Sequence, residues 1–349
     1  MAIDWRAGYT ATWRAYEVLT DTWADGEEVG RLASVSVERS RDGDAPLLES
    51  GELAIDVPVG SGWDERYVRV AMVAEQGGER ERVDVCTLLC STARGEADYG
   101  RDFLELTGRS VLYPASTKRV RVGTYAPAGT DGAQFAASML RDAIAAPVLV
   151  EGSFTLGSHV VFDVGVSVLK AVWTLLRAGG FTIRVSGDGS VAVAPEPTEP
   201  VLHLSQANAR LLHPGVPHEL DWSDVPNRYY AIEGSESAEA VNDDPGSPTS
   251  TVRRGYEHDE VDTSPVRVGG ETLAAYCARR LEERSVAYDT RSYAREFWPD
   301  VVPGDMVSGS LASVGLEGDL RVTRQSLSCG EGIVVDEEAR REVHAWLRR

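Results

Sequence analysis

The chain has 349 residues, length for two or three domains at roughly 150 residues each. Its hydrophobic fraction of 42% and charged fraction of 26% are those of a folded protein, and 35 basic against 55 acidic residues give a net charge of −20. That balance opposes tracking of a nucleic-acid backbone or docking on an anionic membrane, since both need a positive footprint.

From Thr12 to about Arg109 short alternating segments are broken by turn residues: 33–37, 52–57, 67–74, 82–89 and 102–107. Leu53, Ile55 and Val57 fall on one face, as do Val68, Val70 and Met72, with Arg69 on the other. Residues 41–44, 58–62 and Gly77-Gly78 supply the punctuation of hairpins. Strands this short, with no helix between them, predict an antiparallel barrel or sandwich. Near Pro127 the period changes. Asp131 with Gln134 three residues on resembles a capping box; Phe135, Met139, Leu140 and Ile144 follow at helical spacing, and Pro147 stops the run. Residues 151–164 return to strand-like alternation. Val168, Leu169, Val172, Trp173 and Leu176 then form a helical stripe closed by Gly179-Gly180. Residues 181–185 and 191–193, joined through Gly187-Asp188-Gly189, read as a hairpin. Beyond Pro195, Pro197 and Pro200 the pattern is mostly β again, with strands at 227–232, 292–297 and 320–327 and a helix at 271–284. Residues 234–263, rich in Ser, Asp, Pro and Gly, read as one long loop. Residues 336–349 read as a short amphipathic helix, acids first and arginines last. The expected division is therefore a β domain, barrel or sandwich, over 1–124, an α+β domain over 125–200, and a mostly β domain over 201–349 with its long loop and C-terminal helix.

Chemistry is mostly excluded. The only lysines are Lys118 and Lys170, and neither follows a glycine, so there is no P-loop. His218-Glu219 begins like a zinc-protease helix, but position 222 is Trp. His203, His213 and His218 are loosely clustered around prolines, with no regular element to aim them at one ion. Asp42 with Asp44, and Asp243 with Asp244, lack the spacing of a calcium EF-hand loop. There is no Gly-x-Ser-x-Gly elbow, and Gly187-Asp188-Gly189 opens a strand where a dinucleotide loop would open a helix. Cys86 and Cys90, four residues apart on one strand, are separated by roughly 13 Å, too far for a disulfide. With Cys277 and Cys329 they read as free thiols. Among 55 acids some pair will fall at glycosidase separation, which is a weak signal. Trp5, Trp13, Trp23, Trp63, Trp222 and Trp298 are candidates for a sugar-stacking platform, or simply core. No run of 18 apolar residues offers a membrane span, and residues 1–16 lack the order of a secretory leader, so folding in a cytoplasm is expected.

Residues 167–195 carry a resemblance. A helix bearing Trp173, the Gly179-Gly180 stop, a strand, Asp188-Gly189, a second strand and Pro195 resemble the α/β unit of phage tail hub proteins, the baseplate hubs of contractile tails and the N-terminal part of tail-associated proteins in long flexible tails. Residues 227–232 followed by Gly234 are similar to the strand that reopens the second barrel of that family. Residues 244–250 with Gly255-Tyr256 resemble the loop after it, 271–284 the next helix, and Pro303-Gly304-Asp305-Met306-Val307 the late Pro-Gly-Asp turn. The resemblance spans most of residues 10–335 and rests on the order of these pieces.

The resemblance implies a mainly β fold with an α+β insertion, two antiparallel β-barrel-like domains, over 1–124 and 201–349, flanking a small α/β unit. It implies a structural, non-enzymatic component of a phage or prophage tail tip, made in the bacterial cytoplasm and residing in the virion tail. Three copies would form a hub ring joining the tail tube or distal tail protein to a spike or fibre. Catalytic, cofactor-binding and metal-binding residues are not expected, nor are cofactors, nucleic-acid specificity or membrane insertion. A conduit lined with acidic residues would repel passing DNA. Because the chain stops soon after the second barrel, no peptidase or fibre domain is expected to follow. The residues Ala339, Val343, Trp346 and Leu347 form a terminal apolar stripe expected to cap the chain's own barrel, the alternative being a docking face for a partner. The alternatives are a monomeric carbohydrate-binding or wall-hydrolysing tail-tip module, or the spike base of a contractile injection or secretion system.

Overall fold

In a computed structural model the described residues are 3–5, 7–41, 48–58, 62–98, 101–205, 215–268, 270–299, 301–330 and 333–347. The first third is all strand: β1 (Thr10–Val18), β2 (Asp25–Glu28), β3 (Arg31–Ser40), β4 (Leu48–Pro58), β5 (Arg66–Gln76), β6 (Glu79–Asp98) and β7 (Arg101–Ser110). The middle holds α1 (Tyr113–Thr117), β8 (Tyr125–Ala126), α2 (Gly132–Arg141), β9 (Val148–Val150), β10 (Val160–Val161), α3 (Val168–Ala178), β11 (Phe181–Val185) and β12 (Val191–Pro195). The last part begins with β13 (Pro200–Leu204), β14 (His218–Asp221), β15 (Arg228–Glu233), β16 (Glu236–Val241), α4 (Thr251–Arg254) and β17 (Asp259–Asp262). It ends with α5 (Leu273–Arg284), β18 (Val286–Glu296), β19 (Met306–Leu311), β20 (Leu316–Cys329) and β21 (Ile333–His344).

The fold is mainly β with an α+β insertion. The strands of both flanks belong to one sheet, ordered β14-β18-β21-β20-β3-β4-β7-β6-β5-β1-β2, with β19 on β20 and β13 parallel to β19. This path is open, and no closed barrel forms among the described residues. One seam joins the flanks: β20 runs antiparallel to β3, with Leu327 opposite Val37 and Cys329 opposite Val35. The alternation in β3, β4 and β20 makes the seam, since Val35, Val37, Leu53, Ile55 and Leu327 are all buried in one core. Each such side chain contributes about 1.5–3 kcal/mol by leaving water.

The α+β unit forms as its sequence predicts. Asp131 Oδ1 caps α2 by accepting from the backbone N–H groups of Ala133 and Gln134 at 3.0 and 3.3 Å. Ser167 caps α3, accepting from Lys170 N at 3.2 Å. Leu140, Val172, Leu175 and Leu176 are buried between the helices and the β11–β12 hairpin. β9 adds to that hairpin in parallel, on β12. The alternation at 151–164 yields only β10; the rest makes isolated bridges, Thr155 to Asp131 and Leu156 to Val268.

Two expectations in the last third are corrected. The helix predicted at 336–349 is instead strand β21 over Ile333–His344. Ile333, Val335, Glu337 and Ala339 point inward at every second position, and the period is disguised because a core position holds an acid. Glu337 accepts from Tyr293 Oη at 2.5 Å, Arg295 Nη2 at 2.6 Å and Gln325 Nε2 at 2.8 Å, so its charge is paired. The loop predicted at 234–263 is structured: β16 and β17 pair with β15 on either side, and α5 packs on them through Tyr229, Leu273, Tyr276 and Leu281. Its Asn and Ser residues close the turns internally. Asn242 Nδ2 donates to Ser247 Oγ at 2.9 Å, and Asn227 Nδ2 to the carbonyls of Thr249 and Tyr256. Of the terminal stripe, Ala339 is buried, Trp346 packs beside this subdomain and Leu347 is exposed.

Candidate functional site

Two of the motifs that entered the resemblance are the places where the α+β unit is fastened. The first is the hairpin turn Gly187-Asp188-Gly189, which presses on the outer face of β5 and β6. Thr87 Oγ1 donates to the Gly187 carbonyl at 2.9 Å, and Trp23 Nε1 and Arg69 Nη2 each donate to the Asp188 carbonyl at 2.8 Å. The Asp188 carboxylate turns back to accept from Ser190 N and Oγ at 2.9 and 2.7 Å, which holds the turn. A Cβ on Gly187 would lie 1.7 Å from the Asp84 carbonyl oxygen, so no other residue fits there without moving β6. Gly189 has φ +78° and sits against Thr87 and Trp23. Trp23 itself has φ +56°, a left-handed conformation costly for a bulky residue. Arg69 is buried because this turn covers it; it also pairs with Asp25 at 2.7 Å.

The second junction is the turn Pro303-Gly304-Asp305, which leads into β19. Asp305 is fully buried and receives Arg184 of β11 in a two-point contact, Nη1 to Oδ1 at 2.5 Å and Nη2 to Oδ2 at 3.2 Å. The Val302 N–H donates to Oδ2 at 3.0 Å. Burial pushes the Asp305 carboxyl above its ordinary range, against the opposing pull of the Val302 N–H and of Arg184, Arg41 and Arg321. Gly304 has φ +105°, and a Cβ there would meet Arg41 Nη1 at 2.5 Å. Arg41 pairs with Glu196, just beyond β12, and lies 5.4 Å over the Trp173 ring of α3. Arg321 joins the same carboxylate at 3.3 Å and donates to the Gly304 and Pro197 carbonyls at 2.8 and 3.1 Å.

The other sequence candidates do not converge. His203 Nδ1 meets Ser308 Oγ at 2.6 Å, and His218 lies on the exposed edge strand β14; His213 lies outside the described residues. Asp42 and Asp44 also lie outside them, and Asp244 Oδ1 accepts from Gly246 N at 2.7 Å in an ordinary turn. No group of three or more potential metal ligands occurs among the described residues. Nor do the tryptophans share a platform. Trp5 packs on Tyr9 and Phe297, Trp23 on Tyr67, and Trp13 and Trp63 donate to the separate carbonyls of Gly330 and Cys90. The four cysteines are free; burial pushes Cys90 and Cys329 up to about 12. Among the described residues no helix is long and apolar enough to cross a membrane. Sequence reasoning named Trp23 only as a sugar-stacking or core candidate and missed the roles of Arg69, Thr87, Arg41 and Glu196; these residues lie 100 to 165 residues from their partners across the junctions and follow no local pattern.

No protein-family model and no curated protein sequence matches the chain. Solved structures do: the chain has the fold of phage and prophage tail proteins. The tail protein from Neisseria meningitidis MC58 aligns with TM-score 0.65 at 16% identity, over 96% of this chain and 97% of that one. The 43 kDa tail protein of prophage MuSo2 from Shewanella oneidensis aligns with TM-score 0.62 at 11% identity, over 95% and 98%. An Escherichia coli component of the type VI secretion system, itself described as similar to bacteriophage T4 tail proteins, aligns with TM-score 0.50 at 9% identity, over 89% and 74%.

Proposed function

We propose that the chain is a structural component of a phage or prophage tail tip: a hub subunit, without enzymatic activity, that assembles as a homotrimeric ring between the tail tube or distal tail protein and a spike or fibre. The supporting observation is the reciprocal, almost complete overlap with the Neisseria tail protein, 96% of one chain on 97% of the other. The internal mechanics agree with a load-bearing part. The seam between β3 and β20 ties both flanks into one sheet, and the two junctions hold the α+β unit to it, one at the β11–β12 turn and one through Arg184 and Glu196. In this reading 1–124, 125–200 and 201–349 are the three assembly segments, the location is the virion tail, and the ring closes by a heterologous contact repeated about a three-fold axis.

Light scattering on a sizing column, at micromolar protein and at low and high salt, tests this. A mass near three times 37.8 kDa supports the ring, and a monomer at every concentration and in the presence of its tail partner removes it. The likeness to the type VI component favours a second reading, the spike base of a contractile secretion machine. Co-purification with a tube-and-spike set from a secretion cluster, and with no tail-fibre proteins, would select it.

A further inference from the structure

Two cavities of about 340 and 490 Å³ lie side by side between α3, α5 and the face of the sheet, and Arg177 and Arg280 line both. Together they make one elongated cleft whose walls carry seven arginine or lysine residues against five acids, inverting the balance of a chain of net charge −20. Most of these cations are already neutralised. Arg41 and Arg321 share Glu196, and Arg279 and Arg280 share Glu283. Lys170 and Arg177 are different. They stand seven residues apart on one exposed face of α3, about 10 Å along the axis, and neither forms an ion pair among the described residues. Arg177 lies over the Trp173 ring at 5.8 Å.

Two further donors at the same walls lack acceptors. Trp173 is 4% exposed, and its Nε1–H is buried without a partner; the Nε–H of Arg340, which pairs with Glu338 through Nη2, is also buried and unpartnered. Buried donors of this kind are rare in folded proteins because each forfeits a hydrogen bond. Cations thus outnumber acids on the walls of the cleft, and Lys170 and Arg177 are without an ion pair among the described residues. We propose that it is a docking groove for an extended acidic segment of a partner protein. The excess of cations on the walls suits a segment that carries several carboxylates. The distance from Lys170 to Arg177 is spanned by about three residues of extended chain, so carboxylates on such a strand reach both.

The groove goes beyond the proposed hub role, and its test reads binding by the full chain whatever its oligomeric state, so failure of the ring and failure of the groove are separate results. The probe is fluorescein-labelled hexaglutamate, followed by fluorescence anisotropy at about 20 mM salt, where surface charge is weakly screened. Saturable binding that weakens with added salt is expected. It should fall at least about tenfold in Lys170→Glu/Arg177→Glu and stay within about twofold in Arg80→Glu, a charge at the distant β5–β6 turn. Arg177→Gln alone, which adds no like charge to α3, should weaken binding about threefold and covers the case in which the double variant fails to fold. Absence of saturable binding, or binding indifferent to Arg177→Gln, overturns the proposal. So does displacement by inorganic phosphate at the same concentration as by unlabelled hexaglutamate, which would define a small-anion site. Tighter binding of hexathymidylate than of hexaglutamate would overturn it in favour of a nucleic-acid groove.

Discussion

The two junctions of the α+β unit do the same mechanical task with opposite chemistry. At Gly187-Asp188-Gly189 the contact is neutral on the side of the turn: two main-chain carbonyls accept from Thr87, Trp23 and Arg69, and the absence of a side chain lets the backbone approach β6. At Pro303-Gly304-Asp305 the contact is ionic, with Arg184, Arg41 and Arg321 arranged around Asp305 and Glu196. The first should fail through sterics and be indifferent to pH. The second should fail through unpaired charge and respond to protonation.

The largest effect is expected at the first. Gly187→Val places a branched side chain where even a Cβ would be 1.7 Å from the Asp84 oxygen, so the turn must lift and its three hydrogen bonds go with it. A loss of about 4 kcal/mol is expected from overpacking and the broken bonds together, read by chemical denaturation; a loss under about 1 kcal/mol would show that the turn is not a fastening point. Next is a buried pair away from either junction. Arg295→Met alone strands Glu337 and should cost about 3–5 kcal/mol, whereas Arg295→Met with Glu337→Leu should recover only part of that, because buried Tyr293 Oη then loses its acceptor. A double variant as damaged as the single would mean the pair stabilises the sheet beyond mutual neutralisation.

Asp305→Ala should cost about 2 kcal/mol. This is less than a sealed ion pair, because the Arg184 side chain is 34% exposed and regains water. The pH response then separates the junctions. The folded-state value of Asp305 is raised above its ordinary 3.8, so its contribution is fully present below 3.8 and is lost as pH rises through the raised value. The stability of the native chain relative to Asp305→Asn should therefore shrink on going from acid toward neutral pH, while the deficit of Gly187→Val stays flat. A gap that widens with pH would reverse the assignment. The smallest effect is chemical. With Cys90 and Cys329 pushed up to about 12, and Cys86 buried with its thiol also pushed up, a thiol reagent at pH 8 should label these three only as the chain unfolds. Rapid labelling of the native protein would place a local opening at β6 for Cys86 or Cys90, and at the seam for Cys329.

Local signals were legible because they are written within a few residues. Asp131 and Ser167 sit where caps belong, Leu53-Ile55-Val57 alternates, and Gly179-Gly180 ends α3. The pieces that failed were those whose meaning depends on a distant partner. Glu337 looks like a surface residue of a helix until Arg295 and Tyr293, more than 40 residues away, make it a core residue of a strand. Residues 234–263 look like a loop until β15 pairs with strands on both sides. Neither charge in the core nor polar strands in a small subdomain leave a periodic trace that a single segment can show.

By itself, then, the sequence determined the class of the fold, the α+β insertion, the caps and turns, and the order of pieces that resembles a tail hub. Tertiary structure alone decided that both flanks share one sheet through β3 and β20 and that β21 is a strand. It also decided that Arg69, Asp305 and Glu196 are fastening residues, and that Lys170 and Arg177 line one cleft without an ion pair among the described residues. The physical reason is range: hydrogen-bonded periodicity acts over a few residues, whereas pairing of strands, charges and close-approach glycines is settled only when distant segments compete for one another's surfaces.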